Sequence, residues 1–118
     1  MPKETLLVES RAAAAAGVRI LRLSGSLTLA CCYQVQDKLR SNPEESLIVD
    51  MTEVRFVDSS GLGSLVNGYI AHHMAGSRVL LAGLGKRVRE TLEETRVQQF
   101  FTIFDTVEEA EKELLSKK

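Results

Sequence analysis

The chain of 118 residues is long enough for one compact domain, and its hydrophobic (44%) and charged (26%) fractions are typical of an ordinary soluble protein. Fifteen basic and 16 acidic residues give a net charge of -1, which argues against nucleic-acid or anionic-membrane binding through an overall positive field. No stretch approaches the roughly 20 apolar residues that span a bilayer. We therefore expect one domain over residues 1–118, without membrane insertion.

The two cysteines, Cys31 and Cys32, are adjacent in the sequence and have no further cysteine to pair with. They cannot form a disulfide framework or a cysteine-based metal site within one chain, and we expect both in or near the core. Free thiols indicate a reducing compartment, and the first residues do not match a signal peptide. The sequence predicts a cytoplasmic protein that needs no metal and no cofactor.

The chain opens with two short β-prone runs, residues 5–9 and 18–23, separated by a segment of five alanines. These two runs predict an antiparallel pair at one side of a sheet. Strands and helices then alternate. Further strands are predicted at 47–51, 79–82 and 102–104, and helices at 29–41, from 59 to about 73, at 86–96 and from 107 onward.

This alternation predicts the fold class. Right-handed crossovers place the later strands parallel, and the continuous apolar run 47–51 is typical of a strand that is covered on both faces. We therefore expect an α/β domain with a mixed sheet, in which the first strand is antiparallel, the later strands are parallel, and helices pack on the sheet.

Between the strand at 47–51 and the next helix lies a turn rich in hydroxyl groups, Asp58-Ser59-Ser60-Gly61-Leu62-Gly63. Aspartate and serine are preferred helix N-caps, so we expect one of the first three residues to cap the helix and Ser59 to be an exposed hydroxyl. Glycine in the first helical turn costs on the order of 1 kcal/mol relative to alanine. This cost indicates that a neighbouring element or a partner approaches Gly61 and Gly63 closely.

The helix that follows this turn has large apolar residues at steps of three and four. The spacing predicts one buried stripe, with the small and polar residues Ser64, Asn67 and Gly68 elsewhere, a core His73 and a solvated His72. The predicted stripe consists of Leu62, Leu65, Val66, Tyr69, Ile70 and His73.

In its strand-to-helix context, the hydroxyl turn resembles the signature of the STAS family, in particular of the bacterial anti-sigma factor antagonists (anti-anti-sigma factors). The order of elements extends the resemblance over essentially the whole chain. It implies that Ser59 is phosphorylated by a partner that is both an anti-sigma factor and a serine-protein kinase. Phosphorylation would end binding to that partner, and a metal-dependent PP2C-type phosphatase would restore it. The implied partner-binding residues are Asp58, Ser60, Gly61, Leu62 and Gly63, with Thr28 beside them.

The chain departs from the antagonists in the loop after the second strand, where that group usually has acidic residues in a Gly-Glu-Ile-Asp-like pattern. Here the loop reads Gly25-Ser26-Leu27-Thr28. This departure favours an alternative function, a STAS scaffold that is not switched by phosphate or the cytoplasmic STAS subunit of a lipid-transport complex.

Signatures of enzymes are poorly matched. Residues 57–61 lack the first glycine of a Gly-x-Ser-x-Gly nucleophile elbow, and residues 83–87 lack the spacing of a phosphate-binding loop.

The third predicted helix is basic, because it contains Lys86, Arg87, Arg89 and Arg96. These charges suit either a solvated helix face or the positively charged edge of an interface that attracts an acidic partner. We expect a non-catalytic binding module.

Overall fold

The computed structural model describes residues 6–116, which form a five-stranded mixed sheet with helices on both faces. The strands lie in the order β1-β2-β3-β4-β5; β1 is antiparallel to β2, and all later neighbours are parallel. The predicted fold class is therefore confirmed. The strands are β1 Leu7–Ala12, β2 Val18–Leu27, β3 Ser46–Val57, β4 Val79–Ala82 and β5 Thr102–Phe104.

Residues 6–116 also contain four α-helices and two short 3-10 helices, of which the last α-helix follows the last strand. Within residues 6–116, no helix is long and apolar enough to cross a membrane. The α-helices are α1 Cys32–Arg40, α2 Ser59–Met74, α3 Lys86–Glu94 and α4 Val107–Ser116, and the 3-10 helices are Leu29–Cys31 and Val97–Phe100.

Three strands differ in extent from the prediction. β1 is shifted towards the alanine segment, because Arg11 and Ala12 pair with Ile20 and Arg19 of β2; Thr5, the predicted first residue, lies outside the described part. β2 and β3 extend to Leu27 and Val57, and stay paired through two register shifts. Residues 52–57, which follow the predicted strand 47–51, belong to β3, and the irregular pairing with β2 accommodates polar residues within the strand.

Alternate residues of the central strands pack into two separate cores, one on each face of the sheet. Val49 of β3 lies in the core covered by α1, α2 and α3, while its neighbour Ile48 lies in the core covered by α4. Both are fully buried, which confirms a strand covered on both faces. Since burying one such side chain contributes about 1.5–3 kcal/mol, the two cores together hold β3 in place.

The buried surface of α2 differs from the predicted stripe. Leu62 and Leu65 are buried, but Ser64, Gly68 and His72 are buried as well, whereas Ile70 and His73 are exposed. The helix packs against α1 as well as against the sheet, and small residues permit the close approach to α1. A β-carbon on Gly68 would lie 2.8 Å from Cβ of Leu39 in α1.

The prediction of a core His73 and a solvated His72 is wrong, because the two histidines have the opposite positions. The ring of His72 lies 2.7 Å (Nε2) from the backbone oxygen of Leu39 and 2.9 Å (Nδ1) from Oγ of Ser77. A carbonyl oxygen can only accept, so Nε2 carries the proton, and His72 satisfies a carbonyl near the C-terminal end of α1. Gly76, with φ of +86°, ends α2 and turns the chain so that Ser77 reaches the ring.

Candidate functional site

The carboxylate of Asp58 joins three elements at the start of α2. Its Oδ1 accepts a hydrogen bond from the backbone N–H of Gly61 (2.8 Å), which makes Asp58 the N-cap of the helix. Its Oδ2 accepts from the backbone N–H of Leu29 (3.1 Å), the first residue of the 3-10 helix that precedes α1. The backbone N–H of Asp58 donates to the carbonyl oxygen of Leu27 at the end of β2 (3.1 Å). Asp58 therefore fixes the turn to the loop after β2.

The two serines of the turn have different environments. Ser59 is the first residue of α2 and is exposed, and within residues 6–116 its hydroxyl has no hydrogen-bond partner. Ser60 is half-buried, and its carbonyl oxygen accepts a hydrogen bond from the hydroxyl of Ser64 (3.2 Å). Ser59 is thus the hydroxyl that an external protein can reach.

The two glycines of the turn also differ. Gly61 is buried against β2, where a β-carbon would overlap the carbonyl oxygen of Leu27 and lie 2.8 Å from its Cγ. Gly63 is exposed, and a β-carbon there would have no atom within 4 Å. Leu62 between them is buried in the core. The predicted close approach is therefore real at Gly61, with β2 as the neighbour, and is not seen at Gly63.

Thr28 is half-buried at the start of the 3-10 helix, beside a pair of apolar residues that the sequence analysis did not select. Leu29 is 64% exposed and Tyr33 is 74% exposed. Leu29 is the first residue of the 3-10 helix and Tyr33 lies in the first turn of α1, and the Asp58 carboxylate accepts a hydrogen bond from the N–H of Leu29. Tyr33 does not share the spacing of the buried residues of α1, and the sequence could have indicated it, because an exposed aromatic residue next to a polar turn is typical of a binding surface.

A family model for the STAS domain matches residues 10–110. The chain belongs to the STAS family. The hydroxyl turn, the 3-10 helix and α1 of this STAS chain all lie within the matched region.

Several solved structures share the fold of this STAS chain. The anti-sigma factor antagonist SpoIIAA in its unphosphorylated form is 19% identical, with a TM-score of 0.77 over 97% of this chain and 99% of that chain. An anti-sigma factor antagonist from Mycobacterium paratuberculosis is 22% identical, with a TM-score of 0.73 over 93% and 92%. A sulfate transporter family protein from Wolinella succinogenes is 20% identical, with a TM-score of 0.78 over 90% and 93%. At these identities, the likeness shows the fold that the proteins share.

The double role of Asp58 predicts a graded loss of stability in two variants. We expect Asp58→Ala to lower the free energy of unfolding by about 2 kcal/mol, because it removes the helix cap and leaves the N–H of Leu29 without its acceptor. Asp58→Asn should lose less, since asparagine caps helices as well as aspartate does. Urea denaturation checks both, and equal stability of Asp58→Ala and the wild type would contradict the role.

Proposed function

We propose that this protein is an anti-sigma factor antagonist of a partner-switching pathway. It binds its anti-sigma factor when Ser59 is unphosphorylated and releases it when Ser59 carries a phosphate. The observation that carries the proposal is the exposed Ser59 hydroxyl on a turn that Asp58 fixes to the rest of the fold. A similar structure is that of an antagonist named in its unphosphorylated form, which supports the same interpretation.

The position of Ser59 suits a reversible charge. A phosphate adds about -1.5 to -2 elementary charges at neutral pH, and the positive end of the helix dipole favours an anion at the first residue of α2. The first turn of α2 contains no acidic residue, and the carboxylate next to Ser59, that of the N-cap Asp58, is bound by the N–H groups of Leu29 and Gly61. Phosphorylation therefore changes the surface while the fold persists, and the partner is released by repulsion and bulk.

The docking surface combines the turn with the apolar residues beside it. Leu29 and Tyr33 offer exposed apolar area, and Gly63 leaves open space one helical turn after Ser59. An aromatic residue within a polar rim is the usual composition of an interface centre. We assign Thr28, Ser60 and Gly63 to the contact surface, and Asp58, Gly61 and Leu62 to the support beneath it.

The reactions of the switch belong to the partners, all in the cytoplasm. The anti-sigma factor is a serine-protein kinase that supplies ATP and magnesium, and a PP2C-type phosphatase removes the phosphate. This protein contributes the acceptor hydroxyl and the docking surface, and it catalyses neither step.

A second candidate is a STAS scaffold or transporter-associated subunit that phosphate does not switch. The observation that favours it is the loop after β2, where Ser26 and Thr28 supply hydroxyl groups and no carboxylate. The two candidates differ in whether a negative charge at Ser59 changes partner binding.

Docking is tested by isothermal titration with an anti-sigma factor kinase from the source organism. We expect a saturable complex with the unphosphorylated chain. Gly63→Gln should weaken this complex by about tenfold or more, because it fills the open space beside Ser59. Ala14→Gln is the matched control, since it adds the same side chain at an exposed position in the connection between β1 and β2. Equal loss in both variants, or no complex with any such kinase, would contradict the proposal.

A further inference from the structure

An open cavity of about 420 Å³ lies where β2 and β3 end, next to the start of α3. The pairing of Ser26 with Phe56 brings the two strand ends together, and Arg87 at the start of α3 closes one side. Five residues line the cavity: Ser26, Thr28, Arg55, Phe56 and Arg87.

The charged groups of this cavity are all positive. Arg55 and Arg87 contribute two guanidinium groups, and no carboxylate is among the lining residues. Within residues 6–116, neither arginine forms a salt bridge, whereas Arg19, Arg78 and Arg89 each pair with an acidic residue. Both arginines are exposed residues, and two arginines that line one cavity without an acidic group offer the donors that an anion needs.

A second cavity, of about 390 Å³, shows that this charge pattern is not general. It lies at the start of α4, and Arg11 there is accompanied by Asp50, Asp105 and Glu108. Its lining therefore has one positive and three negative groups. A third cavity, of about 250 Å³, also has two arginines, Arg11 and Arg22, but Glu9 accompanies them. Of these three cavities, the one at Arg55 and Arg87 has positive groups and no acidic one.

We propose that the cavity at Arg55 and Arg87 binds a small phosphomonoester. Two guanidinium groups match the charge of such a phosphate, about -1.5 to -2 at neutral pH, better than the single charge of a carboxylate. The hydroxyls of Ser26 and Thr28 add donors, and the remaining volume accommodates the organic part of the ligand beside Phe56.

One of the arginines is already held in position. The guanidinium carbon of Arg87 lies 5.0 Å from the centre of the Phe56 ring, a cation–π contact. A guanidinium that is held in this way loses less side-chain entropy when it binds an anion.

The proposed ligand is separate from the phosphate on Ser59 and requires no partner protein. The cavity nevertheless lies next to the hydroxyl turn at Asp58 to Gly63. Leu27 lies between the lining residues Ser26 and Thr28, and its carbonyl oxygen accepts a hydrogen bond from the backbone N–H of Asp58. Failure of the phosphomonoester site would leave the proposed function untouched, since the latter rests on Ser59 and on the turn that Asp58 fixes, and neither residue lines the cavity.

The test is a titration of the isotope-labelled full chain with phenyl phosphate, inorganic phosphate and benzoate, followed by amide chemical shifts at constant ionic strength. We expect saturable shifts at Ser26, Thr28 and Phe56 with phenyl phosphate, smaller ones with inorganic phosphate and the weakest binding with benzoate. Shifts that do not saturate, that centre elsewhere, or that are as strong with benzoate would overturn the proposal.

Variants that remove the charge of one arginine test the site independently. Arg87→Gln and Arg55→Gln should each weaken phenyl phosphate binding by about tenfold or more. A loss of this size is what the removal of one hydrogen bond to a charged group usually causes. Arg40→Gln is the matched control, because Arg40 is exposed at the C-terminal end of α1, away from the cavity. A loss in Arg40→Gln equal to that in Arg87→Gln would show general charge attraction and overturn the site. Should a variant fail to fold, the shift map of the wild type still decides.

Discussion

Gly61→Ala is expected to lower the free energy of unfolding by about 3 kcal/mol, more than the loss expected for Asp58→Ala. The added β-carbon would overlap the carbonyl oxygen of Leu27. This backbone atom also accepts a hydrogen bond from the N–H of Asp58. Neither atom can move without opening the junction between β2 and α2. The docking turn would lose its fixed geometry together with its stability.

Gly63→Ala is the matched control, because it is the same change two positions later in the same helix. A β-carbon at Gly63 meets nothing within 4 Å, so the helix propensity of alanine should stabilise the protein by up to about 1 kcal/mol. Urea denaturation of the two variants measures the difference. Equal stability of the two variants would contradict the close packing of Gly61 against β2.

Ser59→Asp is expected to weaken binding of the anti-sigma factor by about a hundredfold, because a fixed negative charge then lies in the centre of the docking surface. Ser59→Ala should bind within about threefold of the wild type, since the exposed hydroxyl has no hydrogen-bond partner within residues 6–116. The affinities are measured by isothermal titration.

The control for added charge is Ala14→Asp, which introduces the same carboxylate at an exposed position in the connection between β1 and β2. Affinity should be unchanged in this variant. Tight binding by Ser59→Asp would reject the switch and favour the STAS scaffold as the function. A loss that Ala14→Asp shares would indicate general charge repulsion.

Regular patterns in the sequence were sufficient to predict the sheet. The continuous apolar strand at Ile48 and Val49, the alternation of strands and helices, and the turn at Asp58 all follow from local rules. The extent of β3 was missed because its pairing with β2 is irregular, with two register shifts, and such irregularities have no simple sequence pattern.

The packing of α2 was mispredicted because the size of a side chain was taken as a measure of its burial. Gly68 and Ser64 are buried because α1 approaches closely. His72 is buried because its ring nitrogens form hydrogen bonds with Leu39 and Ser77. These contacts join residues more than 20 positions apart or depend on a turn. Pattern analysis along one helix cannot detect them.

The docking surface was predictable in part. The motif identified Ser59 and its neighbours, but not Leu29, whose N–H is bound by a carboxylate 29 positions later in the chain. The cavity between Arg55 and Arg87 was missed for the same reason, because the fold brings together arginines that are distant in sequence. Local rules locate a turn, and tertiary structure determines what lies beside it.

The central claim is that Ser59 is a docking residue controlled by phosphorylation. Mass spectrometry of the chain after incubation with its anti-sigma factor kinase, ATP and magnesium tests this claim most directly. We predict one added phosphate, located on Ser59, that is absent in Ser59→Ala, disappears after treatment with the PP2C-type phosphatase and coincides with release of the kinase. Phosphate on another residue, or a phosphorylated chain that stays bound with unchanged affinity, would contradict the claim.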